Sequence, residues 1–261
     1  MRRLCTVLLL LASGSMYAQN SPEMRRSGIT YTSPGTQALQ ADDSQNPGML
    51  WVRDGAQRWT IPSGDARKSC ADCHGAIATM RGVAARYPAA SPSSGSAASA
   101  AGRVITLSQQ INRCRVEQQR APAWPPEHAD LLALESAIAF ESRGLPMAPP
   151  AQPALSAAQT RGEALYRQRI GQVDLSCHDC HDRLAGKKLG GNTIPQGHVT
   201  GYPIYRLEWQ AVGSLQRRMR GCMTAVRAEP YAWNAPELVD LEAWLAKRAA
   251  GMRIESPGVR P

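Results

Sequence analysis

The sequence predicts a mainly α-helical protein made of two tandem domains that are related by an internal repeat. The pattern C-x-x-C-H occurs at Cys70–His74 and again at Cys177–His181, 107 residues further along the chain. A solitary cysteine follows each pattern: Cys114 lies 40 residues after the first histidine, and Cys222 lies 41 residues after the second. A chain of 261 residues is long enough for two such domains.

Capping signals and apolar spacing predict the helices of the second half. Ser156 and Gln159 form a capping box ahead of one helical run, and Asn234 and Glu237 form another. The apolar residues that recur at helical spacing after the second box are Leu238, Leu241 and Leu245.

A proline-rich stretch at residues 146–155 is typical of a linker between the halves. We therefore predict an N-terminal domain over residues 19–145 and a C-terminal domain over residues 156–261. Because each half contains its own C-x-x-C-H pattern and its own solitary cysteine, each domain should carry a complete site.

Residues 1–18 have the features of a signal peptide. Arg2 and Arg3 precede an apolar run, Leu4–Ala12, that is too short to span a bilayer, and cleavage after Ala18 fits the small residues there. An uncleaved anchor is the alternative. No later apolar run could span, so we expect a periplasmic protein without a membrane span. Its net charge of +9, about +7 after cleavage, favours anionic small molecules or an acidic protein as partners over nucleic acid.

The C-x-x-C-H pattern is the attachment signature of c-type haem, in which two thiols form thioethers and the histidine binds iron. A redox dithiol or half of a zinc site is the alternative for one copy. Two copies in an exported chain with only five histidines favour two covalently bound haem c groups, and hence two cytochrome c-like domains. The assigned residues are Cys70, Cys73 and His74 in the first half, and Cys177, Cys180 and His181 in the second.

The sixth position of each iron needs a second ligand. Cysteine is the residue type that stands at the matching place in both halves, so we assign Cys114 opposite His74 and Cys222 opposite His181. A disulfide between the two solitary cysteines and two buried free thiols are the alternatives. The other side chains that offer a ligand are Met219, Met223, His128 and His198.

The two solitary cysteines differ in their surroundings. Four residues before Cys222 stands Arg218, on the same helical face, whereas Gln110 holds that position before Cys114. Arginines beside a thiolate lower its pKa and attract an anion that carries oxygens. Arg220 and Lys247 extend this basic region as weaker candidates for substrate binding. A solvated basic face is the alternative.

These motifs resemble SoxA, the dihaem subunit of the SoxAX cytochromes of thiosulfate-oxidising bacteria. The resemblance covers nearly the whole mature chain, and its most specific part is the stretch from Arg218 to Met223. It implies the activity of an L-cysteine S-thiosulfotransferase, which joins thiosulfate oxidatively to a cysteine of a SoxYZ-like carrier protein. Two electrons would leave through haem, and a SoxX-like monohaem cytochrome would complete a heterodimer.

The resemblance also implies roles for individual residues. Cys222 would be catalytic, would ligate the second haem and would be able to carry a persulfide. Arg218 would lie in the substrate channel. Two other functions remain open at this point: a thiosulfate dehydrogenase that forms tetrathionate, and a dihaem electron carrier without catalysis.

Overall fold

The computed structural model describes residues 24–91 and 103–261, so the predicted signal peptide lies outside the described residues. Helices predominate in it, as the sequence predicts. The helices are α1 (Pro34–Ala41), α2 (Met49–Arg58), α3 (Cys70–His74), α4 (Leu107–Cys114), α5 (Ala129–Phe140), α6 (Pro153–Arg167), α7 (Leu215–Ala225) and α8 (Pro236–Arg248). The strands are β1 (Ala89–Ala90), β2 (Val104–Ile105), β3 (Lys188–Leu189), β4 (Asn192–Thr193), β5 (Ile204–Arg206), β6 (Ala211–Gly213) and β7 (Gly258–Arg260).

The internal repeat is visible in how the long helices pack. In the first half α2 packs on α5, and in the second half α6 packs on α8. A glycine makes each crossing possible: a Cβ atom at Gly55 would lie 2.0 Å from the carbonyl oxygen of Ala133, and one at Gly162 would lie 1.9 Å from that of Asp240. The two positions in contact are repeated 107 residues later: Gly55 corresponds to Gly162, and Ala133 corresponds to Asp240. The helices therefore touch backbone to backbone at equivalent points of the two halves.

Both predicted capping boxes are wrong. Helix α6 begins at Pro153 after the cap residue Gln152, which places Ser156 inside the helix. Helix α8 begins at Pro236 after the cap residue Ala235, and neither cap residue makes a side-chain capping bond. The physical reason is that proline suits the first helical position, because its φ is fixed and the N–H that it lacks would have no partner there.

A three-stranded sheet of the second half packs against α1 and α2 of the first half. Its order is β6, β5, β7, and the C-terminal strand β7 runs parallel to β5. Leu39 and Trp51 of the first half pack against its apolar side chains. The domain ranges 19–145 and 156–261 remain a prediction. Helix α1 belongs to the first range, yet it packs against β7 of the second. Across residues 24–91 and 103–261, no helix combines the length and the apolar character needed to cross a bilayer.

Candidate functional site

Each C-x-x-C-H pattern is held by a serine and an aspartate that cap each other. Asp72 N donates to Ser69 Oγ at 3.1 Å, while Ser69 N donates to Asp72 Oδ2 at 2.7 Å. Ser176 and Asp179 repeat the arrangement at 3.1 and 3.0 Å, and the hydrogen bonds from Ser176 lower the pKa of Asp179 to about 2. The sequence signal, Ser-Cys-x-Asp, was present in both copies and missed. Such a cap contributes about 1 kcal/mol.

A glycine ahead of each pattern brings it close to the solitary cysteine of the same half. Gly64 has a φ of +65° and Gly171 a φ of +70°, a backbone region that glycine adopts most easily. A Cβ atom at Gly64 would lie 2.2 Å from the carbonyl oxygen of Gln119, and one at Gly171 would lie 2.1 Å from that of Val226. The loop before each pattern therefore touches the segment that follows the cysteine-bearing helix.

The imidazole of His181 is oriented by a loop on one side and faces Cys222 on the other. Its Nδ1 lies 2.8 Å from the carbonyl oxygen of Pro195, so the Nδ1–H form donates to that carbonyl and leaves Nε2 available. Gly197 lies against the ring, since a Cβ atom there would come within 3.0 Å of its Cγ. The ring also hydrogen-bonds the sulfur of Cys222.

The electrostatics of the second site lower the pKa of the Cys222 thiol. Burial acts against ionisation, but the hydrogen bond with His181 and the positive charges of Arg218 and Arg206 outweigh it. By contrast, burial and the proximity of Cys222 raise the pKa of Cys177 to about 11. The solitary cysteine is thus the more acidic of these two neighbouring thiols.

Arg206 and Tyr202 are site residues that the sequence analysis missed. Arg206 comes from β5, is only 8% exposed, and forms an ion pair with Glu208 at 2.8 Å. Tyr202 is close enough to influence the charges of Arg218 and Arg206. A sequence signal for the tyrosine existed, because a Tyr-Pro pair occurs in each half. Nothing in the local sequence pointed to Arg206, since the turn of the sheet brings it to the cysteine.

The two weaker candidates for substrate binding lie elsewhere. Arg220 donates to the backbone carbonyl of Tyr231 and lies over the ring of Trp233 at 4.7 Å. It stands two residues from Cys222, which places it on the other side of α7. Lys247 is exposed on α8, with its ammonium 5.5 Å from the ring centre of Trp244. The structure therefore brings Arg218 and Arg206 to Cys222, and it gives no support for Arg220 or Lys247 there.

The first site has a different character. Gln110 Nε2 donates to Cys114 Sγ at 3.3 Å, so a neutral side chain occupies the place that Arg218 has in the second half. Burial, followed by the proximity of Cys114, raises the pKa of Cys70. A basic group does lie near the first site, because Arg115 is buried beside Cys70. Its hydrogen-bond acceptors are neutral: Ser63, Gln119 and the carbonyl of Pro122.

Two of the alternative iron ligands, His128 and Met223, are committed to other roles. His128 caps α5 by accepting from Asp130 N at 3.2 Å and stacks on Trp124. Met223 is buried in the apolar core. His198 is buried with both ring nitrogens unbonded, and burial lowers its pKa to about 4, so it is neutral. Met219 packs on the edge of the same core as Met223.

The residues present fit covalently bound haem. All six cysteines in the described part of the chain are free, so Cys114 and Cys222 are not joined by a disulfide. Within the same residues no three His, Cys, Asp or Glu side chains converge on a point that could hold a metal ion. A cavity of about 180 Å³ lies beside Cys70. The donor set, paired thiols followed by an imidazole, has the chemistry of a c-type haem site.

Comparison with known proteins gives consistent matches. A family model described as SoxA/TsdA, cytochrome c domain, matches residues 54–147 and 161–254. The L-cysteine S-thiosulfotransferase subunit SoxA of Rhodovulum sulfidophilum is 37% identical over 236 residues, which cover 90% of this chain and 80% of the relative. The subunit of the same name from Pseudaminobacter salicylatoxidans is 35% identical over the same shares.

A solved structure agrees with these matches. The crystal structure of SoxXA from P. pantotrophus superimposes with a TM-score of 0.85 at 27% identity, covering 91% of this chain and 87% of that chain. The two segments matched by the family model confirm the predicted pair of tandem cytochrome c-like domains. They also show that the chain is built to carry haem c.

Proposed function

From the premise that this chain belongs to the SoxA family, we propose that it is the thiosulfate-conjugating subunit of a periplasmic L-cysteine S-thiosulfotransferase. The observation that carries this function is the second site, where His181 faces the Cys222 sulfur and Arg218 and Arg206 lie beside it. The first site shares the cysteines and the histidine but has Gln110 in place of Arg218.

The proposal includes two haem c groups, one in each half. Cys70, Cys73 and His74 would hold the first, with Cys114 as second ligand, and the equivalent residues of the second half, with Cys222, would hold the other. When bound, haem supplies a one-electron acceptor that can pass electrons to a SoxX-like cytochrome c partner. The family match supports haem c as the cofactor.

The overall reaction forms a bond between the sulfane sulfur of thiosulfate and the cysteine sulfur of a SoxYZ-like carrier. The carrier thiol loses its proton to water and two electrons leave, so thiosulfate and thiol yield the carrier S-thiosulfonate, one proton and two electrons. Arg218 and Arg206 would bind the sulfonate oxygens, because guanidinium groups form paired, charge-assisted hydrogen bonds with such anions. Their position would turn the sulfane sulfur toward Cys222.

Cys222 would act as the intermediate acceptor of that sulfur. Its thiolate would first bond to the sulfane sulfur as two electrons leave, and the carrier thiolate would then attack the same sulfur and release Cys222. If water instead removed the sulfonate group of the Cys222 S-thiosulfonate as hydrogen sulfate, Cys222 would be left as a persulfide. The groups that lower the pKa of this thiol favour its role as both attacking and leaving group.

The direct test is the mass of the product. The purified haem-loaded protein, its cytochrome partner, an oxidant and thiosulfate should add the mass of one thiosulfate to the cysteine of a carrier protein. Mass spectrometry of the carrier checks this. Formation of tetrathionate at an equal rate when the carrier is left out would favour the thiosulfate dehydrogenase. Electron transfer without any new sulfur–sulfur bond would indicate that the protein is a dihaem electron carrier without catalysis.

Replacing Arg218 with glutamine should raise the KM for thiosulfate by roughly 10- to 100-fold, since a charged hydrogen bond contributes about 1.5–3 kcal/mol. Steady-state kinetics at fixed carrier concentration measure this. Arg220→Gln is the matched control, because it removes the same charge from the same helix on the side away from Cys222. Equal increases in the two variants would indicate a general effect of charge and would contradict a bound sulfonate at Arg218.

A further inference from the structure

A cavity lies between the two halves, and each half contributes one half-buried glutamate to it. Glu135 comes from α5 and Glu242 from α8, and they line the same space of about 120 Å³. The two residues are 107 positions apart, so they occupy the same place in the repeat. The packing of one half on the other therefore brings equivalent carboxyl groups to a shared space.

The two carboxyl groups have unequal partners. Gln216 Nε2 donates to Glu242 Oε1 at 2.8 Å, and Gln216 Oε1 accepts from Asn234 N at 2.9 Å. In the register that aligns Cys114 with Cys222, the position of Gln216 is held in the first half by Ser108, whose hydroxyl hydrogen-bonds with that of Thr106 at 2.9 Å. Glu135 Oε2 is buried without a hydrogen-bond partner. A buried ionised carboxylate in that position would be costly, whereas a protonated one is tolerated.

No cation balances the pair. Among the described residues, the other ionisable groups that line the cavity are Glu127, Tyr87 and Tyr202, and no lysine, arginine or histidine does so. Glu127 accepts from Ser214 N at 3.3 Å and lies 3.9 Å from the guanidinium of Arg217, so the nearest arginine is already engaged by another carboxylate. The surroundings therefore favour protonated carboxyl groups.

We propose that Glu135 and Glu242 form a pH-sensitive pair between the two halves: the packing of the halves accommodates the pair when it is protonated and is weakened when the pair ionises. The inference stands apart from the proposed enzymatic function, because it rests on the domain interface and not on thiosulfate chemistry. It has one consequence for the site: Gln216, which donates to Glu242, lies on α7 together with Arg218 and Cys222. A negative charge on Glu242 therefore acts on the helix that carries the site.

The direction of the pH dependence follows from the two carboxyl groups. Burial, followed by the charges of Glu242 and Glu127, raises the pKa of Glu135 to about 8, and burial raises that of Glu242 to about 7. Both values lie above the roughly 4.3 of a glutamate in an unfolded chain. Between these values the folded state binds more protons than the unfolded state, so stability falls as the pH rises through this window.

The test uses the haem-loaded protein and the variants Glu135→Gln, Glu242→Gln and the double variant. The denaturant midpoint of the unmodified protein should fall between about pH 5.5 and pH 8.5, and the double variant should lose most of that fall. Glu229→Gln is the control, because this substitution removes the same charge from an exposed position. An unchanged pH dependence in the double variant would overturn the proposal.

A second measurement covers the case in which the double variant does not fold. In infrared difference spectra the unmodified protein should lose the band of a protonated carboxyl group as the pH rises through neutrality. Each single variant, which lacks one of the two carboxyl groups, should show a weaker change in this band. Absence of such a band in the unmodified protein at about pH 6 would also overturn the proposal. Neither result depends on the conjugating activity, so failure of one proposal is distinguishable from failure of the other.

Discussion

Replacing Cys222 with alanine is expected to reduce carrier-linked thiosulfate oxidation by about 10³-fold or more, while both haem groups remain attached. Removing a group that forms a covalent intermediate leaves only binding and orientation to assist the reaction, and losses of this order are usual. The four thioether cysteines and both histidines of the C-x-x-C-H patterns are unchanged in the variant, so haem attachment should not suffer. The rate of carrier modification and the haem content per chain are the two measurements.

The matched control is Cys114→Ala, which removes the equivalent sulfur of the first half. Cys114 accepts from the neutral Gln110 at 3.3 Å, and the structure gives it no counterpart to Arg218. Its loss should lower the rate by less than about tenfold, through changes in the first haem only. Comparable losses in the two variants would contradict a single catalytic site, and loss of haem from the Cys222 variant would make its inactivity uninformative about catalysis.

The parts of this molecule that depend on local sequence were predictable. The C-x-x-C-H patterns, the matching solitary cysteines and the helical face shared by Arg218 and Cys222 all follow from spacing along the chain. The reciprocal caps at Ser69 and Ser176 are equally local, because each serine stands three residues before the aspartate that it caps. The glycines at 55 and 162 could have been noticed as a repeat, although their role needs the partner helix.

The remaining features depend on which segments meet in space. Arg206 reaches the site because β5 pairs with both β6 and the C-terminal strand β7, a pairing that sequence spacing does not encode. The Glu135 and Glu242 pair needs the two halves to pack face to face, since each residue alone is an ordinary helical glutamate. Arg220 was misplaced for the opposite reason: proximity along the chain suggested the site, but two residues on a helix lie on different faces.

The packing of α6 on α8 depends on Gly162, so a larger residue at this position should strongly reduce the stability of the protein. A methyl group at Gly162 would lie 1.9 Å from the carbonyl oxygen of Asp240, and 2.9 Å from Trp244 Cβ. Backbone cannot yield as a flexible side chain can, so the helices must separate. Overpacking a core usually lowers the free energy of unfolding by about 1–3 kcal/mol, and a clash with main-chain atoms should cost at least the larger of these values. We expect Gly162→Ala to lose about 3 kcal/mol or more of unfolding free energy.

For a chain of this length that loss corresponds to a fall in Tm of roughly 6–12 °C. Gly35→Ala is the control, because Gly35 is exposed in α1 and its nearest neighbour lies at 3.9 Å. It should be neutral, or stabilising by up to about 1 kcal/mol, since alanine favours helix and restricts the unfolded chain. Gly55→Ala should match Gly162→Ala, because its methyl group would lie 2.0 Å from the carbonyl oxygen of Ala133. Equal stability of the Gly162 and Gly35 variants would mean that the helices tolerate separation, and the backbone contact would then not determine how each half is assembled.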